Sequence, residues 1–381
     1  MTPMNDPTHL AHGLAGDNTP PDWPPLRTDE VEAVLRDYPA IGDPVRIAWH
    51  SPRPLSAACL IESPRGTCFV KRHHQRVRGV ETLGEEHRFI AHLRERGVPI
   101  PEVLRHAGGG TITARGEWVY EVHRRAAGID LYREAISWEP LSSREHALAA
   151  GQMLASLHQA AADYRAPQRS THILVARSEL ICAVDPVATL AAQLPQRPAL
   201  AAYLRDRHWQ HELADLLAPW HAAAQPPLAW QPPLWTHGDW HVSNLYWSDD
   251  GADARISDVL DFGLCARNFA LFDLATAIER NAIAWLELDR RSDIAHPDIA
   301  RALIDGYHRQ RPLSRDDRQL LASLLPLVHV DFALSEVEYF QGITQSPANA
   351  DVAWDTFLRG HAAWFHTPPG QALLRLIGDL D

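Results

Sequence analysis

Near residue 123 the chain passes from mixed strand and helix spacing to mostly helical spacing, and that change constrains the fold more than any other feature. Before it, "PVRIAWHS", "SAACLIES" and "GTCFVKRHH" are short runs rich in Val, Ile, Cys and Phe, parted by "PRPL" and "PRG". They predict an antiparallel meander of three strands. Ahead of them, "LRTDEVEAVLRDYP" has helical spacing with Thr28 as an N-cap, which predicts a helix over about residues 29–37. "GVETLGEEHRFIAHLRERG" predicts a second helix ending at Gly97, and "VPIPEVLRHAGGGTITARGEWVYEVH" two further strands around a glycine-rich turn. Later segments such as "SREHALAAGQMLASLHQAAADY", "FALFDLATAIERNAIAWLEL" and "DRQLLASLLPLVHVDFALSEVEYFQG" keep helical spacing. The expectation is an α+β chain: a small N-lobe over residues 26–123, a mostly helical C-lobe over 124–381, and a disordered tail over 1–25. No Gly/Ser linker separates the lobes, so they form one unit with a cleft between them.

Composition removes several classes of function. With 36 Lys and Arg against 48 Asp and Glu, the net charge of −12 repels a phosphate backbone, so nucleic acid is not expected as a partner. Cys59, Cys68, Cys182 and Cys265 form no C-x-x-C pair, which fits neither a disulfide scaffold nor a cysteine zinc site. The first residues lack a basic segment followed by an apolar one, and no run approaches the roughly 20 apolar residues of a membrane span. A cytoplasmic protein without a membrane partner is expected.

The stretch "THGDWHVSNLYW" places His237, Asp239 and His241 at alternate positions, on one side of an extended segment. A metal site is one reading, but the chain has 22 histidines and no H-E-x-x-H framework accompanies the stretch. The better account adds "VLDFGLCARNFALFDLA" downstream. An H-x-D, then Asn244, then an apolar strand and D-F-G is the order of catalytic and metal-binding groups in protein kinase-type enzymes. The sequence resembles the aminoglycoside phosphotransferase and choline kinase-like branch of that superfamily, whose H-G-D-x-H-x-x-N pattern Gly238 and His241 match.

The resemblance implies a bilobal protein kinase-like fold and ATP- and Mg²⁺-dependent phosphoryl transfer, with GTP left open as donor. A hydroxyl attacking the γ-phosphorus needs a carboxylate to orient it and take its proton, which falls to Asp239; Asn244 and Asp261 then supply oxygens to Mg²⁺. Lys71 in "TCFVKRHH" is the expected contact to the α- and β-phosphates. Glu86 is expected to hold it, with Glu85 as alternative, on the match of Glu86, Leu93 and "GVPIP" to the family. No G-x-G-x-x-G precedes the second strand, so Ser56, with Ser51 in reserve, stands at the phosphate loop. Glu121 and His123 mark the lobe connection, where main-chain groups would meet the adenine. His237 and His241 are expected to brace the catalytic loop, and Asp273 to cap its helix or hold that loop. Asp258 is read as a bystander.

The segment after D-F-G is short and lacks A-P-E, while residues 124–236 form a long helical insertion, a pattern that favours a small hydroxyl-bearing acceptor. Asp331 and Glu338 on "LVHVDFALSEVEYFQG", with Asp130 and Tyr132 on "GIDLYREAISWEP", are candidate contacts to an amino sugar or amino alcohol. Positions 331, 335 and 338 share a helix face from which Glu336 is turned aside. The plainer reading of these residues is a solvated face and a core. A kinase of protein Ser/Thr and a non-catalytic nucleotide-binding module remain as alternatives, and the chain is expected as a monomer or homodimer.

Overall fold

Alternation along the predicted strands decides the architecture of the first third of the molecule. The computed structural model describes residues 22–43, 45–135 and 138–380, plus a backbone pairing of Leu10–Ala11 with Leu14–Ala15. Strands β1 (Arg46–His50), β2 (Ala57–Ser63), β3 (Gly66–His74), β4 (Ile112–Arg115) and β5 (Trp118–Arg124) form one antiparallel sheet in the order β1-β2-β3-β5-β4. On one face Cys59, Ile61, Cys68, Val70, Tyr120 and Val122 are buried under helix α1 (Thr28–Leu35), which brings Val31, Val34 and Leu35. Burial of each of those three side chains contributes about 1.5–3 kcal/mol. The period of two leaves Phe69, Lys71 and His73 on the other face, toward helix α2 (Val80–Glu95) and the cleft.

The hairpin β4–β5 turns at Gly116, and the glycine run 108–110 shapes the loop before it, so the pairing strand starts later than the sequence suggests. Residues Val103 and Leu104 only bridge to β5. Most of the expected tail 1–25 lies outside the described residues. Asp22 and Trp23, however, are packed: Trp23 Nε1 donates to Leu55 O and Tyr339 Oη, and Tyr339 Oη donates to Asp22.

Beyond β5 the chain crosses to the larger lobe. Ala127 N donates to Asp258 at 2.6 Å, and Ile129 and Trp247 exchange backbone hydrogen bonds. Asp258 is therefore the anchor of the connection and no bystander. The principal helices of the larger lobe are α3 (Arg144–Ala160), α4 (Trp209–Leu228), α5 (Ala270–Ala282), α6 (Pro297–Gln310) and α7 (Val330–Tyr339). Pro326, which lacks an N–H and collides with the preceding turn, divides the segment "DRQLLASLLPLVHVDFALSEVEYFQG" into helices Arg315–Leu324 and Val330–Tyr339. Short pairs β6 (Leu234–Thr236) with β9 (Ala266–Asn268), and β7 (Leu245–Trp247) with β8 (Ile256–Val259), hold the loops that face the cleft. Phe89 of α2 joins the lobes, its ring lying 5.3 Å from Trp235 and 6.0 Å from Phe262. No helix among the described residues is long and apolar enough to cross a membrane.

Candidate active site

The loop between β6 and β7 carries His237, Gly238, Asp239, His241 and Asn244, and buried polar groups fix its path. Asp273, in the first turn of α5, accepts hydrogen bonds from His237 N at 2.8 Å, Gly238 N at 2.9 Å and His158 Nε2 at 3.0 Å. It holds the loop and does not cap its own helix. His237 spans two loops: Nε2 donates to Leu260 O at 2.8 Å, and Nδ1 accepts from Asp239 N at 3.1 Å. Gly238 has φ +78°, and a Cβ there would lie 2.7 Å from Leu264 O, so only glycine lets the loop approach the turn after β8 this closely.

These contacts aim Asp239 into a cleft of about 160 Å³ shared with Lys71, Asn244, Asp261, Ser56, Arg53, Arg280, Trp138, Phe332 and Glu336. Arg280 Nη1 donates to Asp239 Oδ1 at 2.8 Å, and the guanidinium lies 3.7 Å over the Trp138 ring. Burial opposes ionisation of Asp239, but Arg280 and His241 outweigh it and hold the carboxyl well below the usual carboxylate range. The His241 imidazole is pushed down to about 4, burial being the largest cause. Asn244 Nδ2 donates to Asp239 O at 2.9 Å and Oδ2 at 3.1 Å and meets His241 Nε2 at 3.1 Å. Its nitrogen is thus committed to the loop, which leaves the amide oxygen for a cation.

Asp261 stands at φ +53°, an uncommon conformation for a residue with a side chain. Lys71 Nζ donates to both of its carboxylate oxygens at 3.0 Å. Burial raises the Asp261 pKa and Lys71 lowers it, and the balance falls below the ordinary value. A part-exposed carboxylate and an amide oxygen lining the same cleft are hard-oxygen donors, which fit Mg²⁺.

Several expected partners stand elsewhere. Glu86 does not meet Lys71; its Oε1 accepts from Arg78 Nε and Arg169 Nη2, each at 2.7 Å. Glu85 takes Arg169 Nε at 2.8 Å. Two guanidiniums compete for these carboxylates and win because both are buried beside α2, tied to the Gly263 carbonyl behind the Asp261 turn. Glu121 and His123 are interior residues of β5, paired with Lys71 and Phe69 on one edge and with Ile112 and Val103 on the other. Their main-chain groups serve the sheet, and past Arg124 the connection is itself tied down, Arg125 N to Thr67 O at 3.3 Å and Ala127 N to Asp258. Ser56 lines the cleft, whereas Ser51 Oγ accepts from Arg53 N at 3.3 Å.

The substrate candidates are redistributed most. Tyr132 is buried against Ser142 and His146, and Asp130 sits behind Tyr246; neither lines the cleft. Glu338 pairs with Arg197 at 2.7 Å, and Asp331 is buried in the lobe, where burial pushes its carboxyl up to about 7. Helix α7 turns Phe332 and Glu336 to the cleft; they are one turn apart on a face about 100° round the helix from the expected one. Burial raises the Glu336 carboxyl well above its ordinary value. Arg280, two turns after Asp273 on α5, had a legible signal in that spacing; Arg53 had one in replacing the glycine-rich loop. His158, Trp138 and Arg169 gave none.

Comparisons with known proteins identify the family and the fold. Residues 55–329 match the model of the phosphotransferase enzyme family. A homoserine kinase of Xanthobacter autotrophicus is 26% identical over 280 residues, covering 73% of this chain and 75% of that one. A homoserine kinase of Afipia carboxidovorans is 26% identical over 314 residues, covering 82% and 84%. Among solved structures, a microcompartment-associated aminopropanol kinase superposes with a TM-score of 0.55 at 17% identity, over 92% of this chain and all of that one. An amicoumacin kinase in complex with AMP-PNP superposes with a TM-score of 0.57 at 12% identity, over 87% and 92%. The chain belongs to the phosphotransferase enzyme family and has its kinase-like bilobal fold; it is a kinase with a hydroxyl group as acceptor.

Proposed function

We propose that this chain transfers the γ-phosphate of ATP to a hydroxyl of a small amine-bearing molecule, an amino alcohol or amino sugar, with Asp239 receiving the hydroxyl. The observation that carries the reading is the gathering of Asp239, Asn244, Asp261 and Lys71 on one cleft. Lys71, now on Asp261, is placed to exchange that partner for phosphate oxygens, and Arg53 and Ser56 line the same wall. Asp261 and Asn244 would hold Mg²⁺, which when bound offsets the charge that develops on the transferred phosphoryl group.

The low pKa of Asp239 bears on timing. A carboxylate so stabilised by Arg280 is a weak base toward an alcohol, so it orients the hydroxyl first and takes the proton as bonding to phosphorus acidifies it. Trp138 and Phe332 shield the acceptor end from water, and the Glu336 carboxyl offers an ammonium a partner there. The homoserine kinase relatives favour an amino alcohol. A GDP complex of a related aminoglycoside 2′-phosphotransferase, with a TM-score of 0.54, keeps GTP as an alternative donor.

ADP release against homoserine, other amino alcohols and aminoglycosides tests the reading, with Asp239→Asn beside the wild type. The variant is expected to bind ATP and lose turnover by about 10²–10⁴-fold, the usual contribution of a positioned base. Normal turnover by Asp239→Asn would overturn the assignment of the base, and absence of transfer by the wild type across the panel would overturn the acceptor class.

A further inference from the structure

We propose that the small lobe carries a second cation site, of the zinc class, formed by Nε2 of His87, Nε2 of His123 and the Glu121 carboxylate. The site is separate from the Asn244 and Asp261 pair and independent of what the cleft phosphorylates. Glu121 is a buried carboxylate in the middle of the sheet, and imidazoles surround it: His73 Nε2 lies 2.8 Å from Oε1, while His87 Nε2 and His123 Nε2 lie 2.9 Å and 2.7 Å from Oε2. The ligand atoms of His87, Glu121 and His123 all fall within 4.8 Å of one another.

The two nitrogen to oxygen separations are close to what the ion requires. Zinc bonds of about 2.0–2.2 Å to nitrogen and oxygen in a tetrahedron set ligand atoms roughly 3.3 Å apart. The present nitrogen to oxygen separations need to open by only about half an ångström, within reach of small side-chain rotations. Two imidazoles and one carboxylate make a borderline-soft set suited to zinc, in contrast to the hard oxygens at Asp261.

Outer contacts complete the arrangement. His87 Nδ1 lies 2.8 Å from Thr111 Oγ1, the kind of far-side hydrogen bond that fixes ring orientation in zinc sites. His73, on the other carboxylate oxygen, holds Glu121 in place. Without metal, a ring that carries its proton on Nε2 donates it to Glu121. On binding, the Nε2 lone pair goes to the cation and the ring proton moves to Nδ1; on His87 the Thr111 hydroxyl oxygen accepts it. No proton is gained or lost by a neutral ring in that exchange. The fourth position is left to water. Because His87 is on α2 while Glu121 and His123 are on β5, the bound ion ties the helix to the sheet beside Lys71, the cross-strand neighbour of Glu121.

The test is a zinc titration of chelator-dialysed full-length protein by calorimetry, with cobalt(II) as a visible-absorption probe and thermal melting as a third readout. One site per chain is expected, with cobalt bands of four-coordinate intensity and a melting midpoint that rises with zinc. The double variant His87→Asn, His123→Asn should lose both the stoichiometric binding and the cobalt bands. If the double variant does not fold, His123→Asn alone, at the more accessible ligand, should bind zinc about tenfold more weakly or worse. His211→Asn, at the surface, should bind as the wild type does. No stoichiometric zinc in the wild type, or undiminished binding in the His123 variants, overturns the proposal.

Discussion

Replacing Arg280 by methionine keeps most of the side-chain stem while removing the charge that faces Asp239 at 2.8 Å. With charge centres roughly 4 Å apart and an effective dielectric of about 20, the lost attraction is about 4 kcal/mol. At about 1.4 kcal/mol per pH unit, that raises the Asp239 pKa by about three units, while His241 still opposes burial. The sign follows from the depressed folded-state value. In the wild type the pair's stabilisation is present above the unfolded carboxyl's pKa of about 3.9 and is lost only as pH falls through the lower folded value. Asp239 therefore stays ionised across neutral and mildly acidic pH, and kcat should not fall through its titration. In Arg280→Met the acid limb should move up by about three pH units, to about pH 3–4. The assay is ADP release at saturating substrates, as brief initial-rate measurements from pH 3 to 8, each enzyme normalised to its own plateau. The plateau will drop as well, because the contact with Trp138 is lost, so the shape of the profile is the readout. Superimposable normalised profiles would refute the argument that Arg280 sets the charge state of Asp239.

Three further substitutions probe the supports of the site. Asp273→Ala strands two backbone N–H groups and a buried imidazole and should cost about 3–5 kcal/mol of unfolding free energy in urea; a loss under about 1 kcal/mol would contradict its role as the loop's anchor. Glu86→Ala leaves Arg78 and Arg169 without their shared carboxylate oxygen and should cost a similar amount, yet raise the KM for ATP less than Lys71→Ala does; equal KM effects would mean that Glu86 acts through Lys71 after all. Gly128 has φ +72°, and a Cβ there would sit 2.2 Å from Trp247 O, so Gly128→Ala should lower the melting temperature and loosen the lobe connection, while an unchanged melt would show that the chain relaxes around it at little cost.

The order of the elements was legible because each signal is local. Period-two runs around Lys71 and period-3.6 runs around Asp273 report on faces that neighbouring residues create together, whatever packs on them later. The order of "HGD", Asn244 and Asp261 is legible for the same reason, although Asp273 and His158, from distant parts of the chain, fix the path of the catalytic loop. Pairings between elements were not legible. Lys71 and Glu86 carry the right charges for each other, but Arg78 and Arg169 arrive from elsewhere and take the glutamate. Glu336, not Asp331 or Glu338, lines the cleft: periodicity says which residues share a face and cannot say which face meets the cleft, and Glu338 turns instead to Arg197.

What this sequence determines by itself is thus the kinase-like order of strands, helices and motif loops, since those follow from short-range periodicity and loop closure. What only the tertiary structure decided is which charges meet: Arg280 on Asp239, two arginines on Glu86, and histidines from α2 and the sheet around Glu121. The reason is that partners far apart in sequence are selected by burial, where an unpaired charge costs several kcal/mol, and no local pattern records which side chain will be near enough to prevent it.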